Sequence, residues 1–106
     1  MRHDFVLTPD AADELLAIWQ YLTDNDSEGA ADRVIERLYG ECQKPNEMPR
    51  MGHYRDDLLD RRHRFWNVWS YVIAYRWEKK PTQIVAIVHG ARDLDAFYAR
   101  RRAKLP

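Results

Sequence analysis

The stretch Phe65-Trp66-Asn67-Val68-Trp69-Ser70-Tyr71-Val72-Ile73-Ala74-Tyr75-Arg76-Trp77 decides the fold. Aromatic and β-branched side chains fill it, the types that fit a pleated, half-buried surface. Its thirteen residues exceed one ordinary strand of roughly 3–10 residues. The spacing therefore predicts a break near Asn67–Ser70 and an antiparallel strand on each side of it. Downstream, Glu78-Lys79-Lys80-Pro81 reads as the next turn. Ile84 to Val88 is apolar at nearly every position, as in a central strand with both faces covered.

Upstream the period changes. Phe5-Val6-Leu7 reads as a short first strand. Thr8 then sits at an N-cap with Pro9 at the first helical position and Asp10, Asp13 and Glu14 in the opening turn. Leu15, Ile18, Trp19 and Leu22 follow on one helical face. Asp24-Asn25-Asp26-Ser27 breaks that helix and caps a second, whose face carries Ala31, Val34, Ile35, Leu38 and Cys42. Residues 9–44 thus read as an antiparallel helical hairpin that Pro45 and Pro49 end. After the strands, Asp93 caps a short C-terminal helix with Leu94, Phe97 and Tyr98. The expected fold is α+β: an N-terminal strand and a helical hairpin packed on one face of a small antiparallel β-sheet, with a short C-terminal helix. At 106 residues the chain forms one domain over 1–106.

Charge is divided unevenly. The 17 basic and 17 acidic residues cancel, which excludes a uniformly basic polyanion binder. Residues 1–50 nevertheless carry net −6 and residues 51–106 net +6. The second half suits a partner that bears negative charge.

Several chemistries are excluded. A single cysteine, Cys42, forms no internal disulfide, and a reducing cytosol fits it best. It falls on the apolar stripe of the second helix and reads as core. The chain has neither the long apolar run of a membrane span nor a signal-peptide pattern. His3, His53, His63 and His89 show no ligand spacing, so no metal is expected. Four scattered glycines form no phosphate loop, and no nucleophile elbow surrounds Ser27 or Ser70. No cofactor is expected.

The remaining constellation is basic and aromatic. Arg61, Arg62, His63 and Arg64 precede a strand, and His89-Gly90-Ala91-Arg92-Asp93 follows one. A metal-free ribonuclease needs a base, an acid and cations for the phosphorane. His89, His63 and Arg64 or Arg92 have the chemistry for it. Structural roles compete: Arg92 and Asp93 pair and cap a turn, and His89 hydrogen-bonds at a strand end. Phe65, Trp69, Tyr71, Ile73 and Tyr75 are expected in the core beneath the hairpin. Trp66 or Trp19 is left exposed for a protein partner.

The segments Leu7-Thr8-Pro9, Ala12-Asp13-Glu14-Leu15-x-x-Ile18-x-x-Tyr21, Ala31-Asp32-Arg33 and Pro49-x-x-Gly52-x-x-Arg55-Asp56-Asp57-Leu58 come in a distinctive order. They are followed by Arg64-x-x-x-Val68, Tyr71-Val72-Ile73-x-Tyr75-Arg76 and Ile84-x-x-x-Val88-His89-Gly90-Ala91-Arg92-Asp93. In this the chain resembles toxins of the RelE/ParE superfamily of type II toxin–antitoxin systems, and more closely the ParE branch. The resemblance covers nearly the whole chain. It implies the same hairpin-on-sheet fold and a bacterial, cytoplasmic toxin neutralised by a small ParD-like antitoxin in a hetero-oligomer. RelE-like members cut mRNA on the ribosome with Lys and Arg residues on the sheet, whereas the ParE branch is known for poisoning DNA gyrase. Pro49–Arg64 contains no lysine, so the chain sides with ParE. Trp69-Ser70 stands where a Gly or Pro turn belongs, which leaves the hairpin register open.

The expectation is a non-enzymatic toxin that inhibits gyrase, with Arg92, Arg100, Arg101 and Arg102 facing the target. An acidic–apolar antitoxin segment is expected over the hairpin and sheet edge, at Trp19, Tyr21, Arg33 and Arg37. Two alternatives stand beside it. One is a ribosome-dependent mRNA endoribonuclease using Arg64, His89 and Arg92. The other is a toxin-fold protein that has lost activity.

Overall fold

In the computed structural model, described for residues 5–48, 50–55 and 60–90, the chain runs β1 (Phe5–Leu7), α1 (Pro9–Asn25), α2 (Glu28–Glu47), β2 (His53–Arg55), β3 (Asp60–Val68), β4 (Tyr71–Arg76) and β5 (Thr82–His89). The expected C-terminal helix at Asp93 lies outside the described residues.

Thr8 joins the first two elements. Its N–H donates to the Ile84 carbonyl at 3.0 Å, closing the β1–β5 ladder. Its hydroxyl accepts from the Ala11 N–H at 3.2 Å and donates to the Val85 carbonyl at 3.3 Å. With Pro9 next to it, the strand stops and the helix starts within one residue. Ser27 caps α2 in the same way, accepting from the Ala30 N–H at 3.0 Å.

Pro45 does not end α2. It is buried in the last turn, and the helix continues to Glu47. Tertiary contacts outweigh the lost backbone donor: Asn46 accepts from the Thr82 N–H of β5 at 3.1 Å, and the Met48 N–H reaches the Lys44 carbonyl at 2.9 Å.

The sheet order is β1-β5-β4-β3-β2. β1 pairs parallel to β5 and the other neighbours are antiparallel, so the sheet is mixed. The break in the aromatic stretch falls where expected. Val68 pairs with Tyr71, and Trp69 and Ser70 alone make the loop. Trp69 takes φ +54°, the conformation that glycine ordinarily supplies at the first loop residue of a tight hairpin.

The core has two sides. Beneath the hairpin, Phe5, Leu15, Leu38, Cys42, Val68, Ile73, Tyr75, Ile84 and Ile87 pack together. Phe65, Ala74, Val85, Ala86 and Val88 form a second cluster. Successive strand residues point to opposite faces, so this cluster lies across the sheet from the first. β5 is buried on both faces, as its apolar run implies. Two expectations are corrected. Phe65 belongs to the second cluster because it pairs with Ala74. Trp69, placed in the turn, is 60% exposed.

Candidate functional site

The hairpin carries nine acidic residues and three cations, Arg33, Arg37 and Lys44. All three cations belong to α2. At 3.6 residues per turn they fall within an arc of about 40° around its axis. Glu41 lies at the margin of that row and is buried. Arg37 Nε donates to its Oε1 at 3.1 Å and Lys44 Nζ at 3.0 Å, while Trp66 Nε1 of β3 donates to Oε2 at 3.1 Å. A buried carboxylate needs this degree of pairing. Burial pushes its pKa up, but the hydrogen bonds from Lys44, Trp66 and Arg37 and the charge of Lys44 outweigh it and hold the acid below 4.5. The Arg37 guanidinium also sits 5.4 Å from the Trp69 ring centroid. The row on α2 thus looks across to two tryptophans, one on β3 and one in the β3–β4 turn.

Arg64 belongs to a second cluster on the same sheet face. Its guanidinium lies 4.4 Å from the Tyr54 ring centroid and 5.3 Å from that of Trp77, which Arg50 approaches at 5.5 Å. Arg64 Nη1 donates to the Gly52 carbonyl at 2.7 Å and the Arg50 carbonyl at 3.3 Å. Its Nε is buried with no partner among the described residues. Arg64 is thereby a clip that holds residues 50–52 against β3.

Of the ribonuclease candidates, the described Arg64 and His89 lie at opposite ends of the β4 ladder. Arg64 pairs with Tyr75 of β4, whereas His89 pairs with Tyr71 at the other end of that strand. Four residues along and two strands across, their backbones stand about 16 Å apart. His63 pairs with Arg76 at the Arg64 end. His89 is exposed and meets Tyr71 edge to face at 5.3 Å. Arg92, Arg100, Arg101 and Arg102 lie outside the described residues.

The four antitoxin candidates separate as well. Trp19 pins α1 to α2, its Nε1 donating to Asp32 Oδ1 at 2.9 Å. Neither it nor Trp66 is the exposed tryptophan; that residue is Trp69. Tyr21 is 66% exposed, and its phenol adds to the burial that raises the pKa of Tyr71. Arg33 and Arg37 share the α2 row. Glu41, Lys44 and Trp69 are functional candidates that sequence reasoning passed over, whereas Trp66 was named there as a partner-facing residue. The available signal was Arg33, Arg37 and Lys44 at i, i+4 and i+11 on an otherwise acidic hairpin.

Cys42 is fully buried, and burial followed by the Glu41 charge pushes its thiol up to about 12. Among the described residues no group of three or more His, Cys, Asp or Glu is placed to hold a metal, and no helix is long and apolar enough to cross a membrane.

No curated protein matches the chain. A solved chain described as the chromosomal ParDE TA system from P. aeruginosa matches in fold, with a TM-score of 0.69 at 18% identity, over 83% of this chain and 96% of that one. Residues 5–94 match the family model described as the ParE toxin of the type II toxin–antitoxin system, parDE. By that match, which takes in both helices and every described strand, the chain belongs to the ParE toxin family.

Proposed function

We propose that this ParE-family chain is the toxin of a two-component pair, that it acts in the cytoplasm by inhibiting DNA gyrase, and that a ParD-like antitoxin neutralises it in a hetero-oligomer. The family match over residues 5–94 carries the toxin reading. The antitoxin reading draws on the ParDE description of the similar solved chain. A toxin that binds its target without cleaving RNA is supported by Arg64 bonding the Gly52 and Arg50 carbonyls and by His89 pairing at the end of β4 away from Arg64. Arg92, Arg100, Arg101 and Arg102 supply the positive charge for an acidic target surface or for the DNA it holds.

The test is a supercoiling assay with purified gyrase. The toxin blocks supercoiling or accumulates cleaved DNA, and the antitoxin reverses it. No effect at a large molar excess over gyrase sinks the target assignment.

A further inference from the structure

We propose that Arg33, Arg37 and Lys44 of α2, with Trp69 beside Arg37 and Trp66 on the Glu41 carboxylate that Arg37 and Lys44 hold, form the lane along which the antitoxin lays an acidic segment with an apolar residue at its centre. The proposal rests on the antitoxin reading above.

Charge segregation is the first argument. Nine acids and three cations are spread over two helices, yet all three cations fall on one row of one helix. Arg37 and Lys44 share the single carboxylate of Glu41, so the row keeps an excess of positive charge. Their side chains are 57% and 48% exposed, leaving donor capacity for a partner. An acidic peptide is attracted to this row and repelled by the rest of the hairpin, which fixes its register.

Trp69 is the second. A bulky residue at φ +54° is disfavoured, because the left-handed region costs about 1–2 kcal/mol for a residue with a Cβ. The turn spends that energy to present an exposed indole next to Arg37. Trp and Arg are among the residue types enriched at interface hot spots.

Dimensions and charge pattern choose the occupant. Arg33 to Lys44 spans about 16 Å along the helix, the length of about five extended residues. Glu41 sits in that span, with its carboxylate against Trp66. A peptide places acids opposite Arg33 and Lys44 and an apolar residue opposite Glu41. A nucleic acid brings an unbroken series of phosphates against the same carboxylate.

The experiment titrates the full-length chain with the purified product of the short reading frame adjoining its gene, by calorimetry at low and high salt. Two variants probe the lane. Trp69→Gly suits the positive φ of the turn and keeps the hairpin foldable. Arg33→Glu with Lys44→Gln leaves Arg37 and Trp66 on Glu41. Wild type binds; Trp69→Gly weakens binding about tenfold or more. The double variant weakens it about tenfold at low salt and by about twofold at high salt, where screening shortens the reach of exposed charges. Circular dichroism of both variants stays that of the wild type.

If both variants bind within about twofold of wild type, the lane is overturned while the antitoxin reading stands. If the wild type forms no complex, the antitoxin reading falls and the lane with it. A single-stranded oligonucleotide that binds the wild type and loses more affinity than the peptide partner on the same substitutions overturns the acidic-peptide assignment.

Discussion

The hydroxyl of Tyr75 accepts a hydrogen bond of 2.8 Å from the backbone N–H of Gly52, in the same place where Arg64 takes the Gly52 carbonyl at 2.7 Å. Side chains from two strands thus hold both polar backbone groups of one glycine. That arrangement brings residues 50–52 against the sheet and leaves no room for a Cβ. One placed on Gly52 would stand 2.6 Å from the Tyr75 hydroxyl and 2.7 Å from the Phe65 carbonyl.

Gly52→Ala is therefore expected to lower stability by about 2–3 kcal/mol, since a backbone carbonyl must move to admit the methyl. Tyr75→Phe leaves the Gly52 N–H buried without its acceptor and costs about 1–3 kcal/mol. Urea unfolding of the two single variants and the double variant checks both. Because they share one contact, the double variant should lose less than the sum of the two. Strict additivity would contradict the described contact.

Glu41 makes stability sensitive to acid. Burial opposes its ionisation, but Lys44, Trp66 and Arg37 prevail and hold its folded pKa below the ordinary 4.5. A carboxylate depressed in the folded state contributes stability that is fully present above its unfolded pKa. That contribution is lost as pH falls below about 4.3 and through the lowered folded value. Glu41→Gln should cost about 2 kcal/mol at neutral pH and flatten the decline in stability below pH ~4.3. A variant that keeps the wild-type slope in acid would show that other carboxylates set it.

The strand meander was legible because Phe65–Trp77 announces two strands by composition and exceeds one by length. The caps Thr8 and Ser27 were legible because N-cap chemistry is local. The parallel pairing of β1 was not, since three residues, Phe5–Leu7, carry no signal of which strand they join; the Thr8 bonds to Ile84 and Val85 are tertiary. Pro45 misled because local backbone rules end a helix where core packing and the Asn46–Thr82 bond sustain it. Of the cation row on α2, Arg33 and Arg37 were readable from the charge contrast. Lys44 and Glu41 required knowing that Trp66 arrives beside them from another element. The separation of Arg64 from His89 came only with the strand register.

Cys42 should be inert in the folded protein and reactive only on opening. Its thiol is fully buried and pushed up to about 12, so at pH 8 almost none is the nucleophilic thiolate. Labelling by an iodoacetamide reagent should be negligible in buffer and complete in denaturant, at a rate that follows global unfolding. Rapid labelling of the native protein would mean that α2 opens locally.

The ribonuclease alternative makes a sharp demand on two positions. If Arg64 and His89 served catalysis, removing either would lower activity by about 10²–10⁴ while the protein stayed folded. The described geometry assigns them different work. His89→Ala deletes an exposed ring whose partner is Tyr71, and growth arrest on induction should match wild type. Arg64→Ala removes the clip on Gly52 and should cost stability of about 1–3 kcal/mol, so its toxicity must be compared at equal levels of soluble, folded protein. At equal level it should remain toxic. A loss of about a hundredfold or more in either variant, with the fold intact, would favour RNA cleavage and overturn the proposed gyrase target.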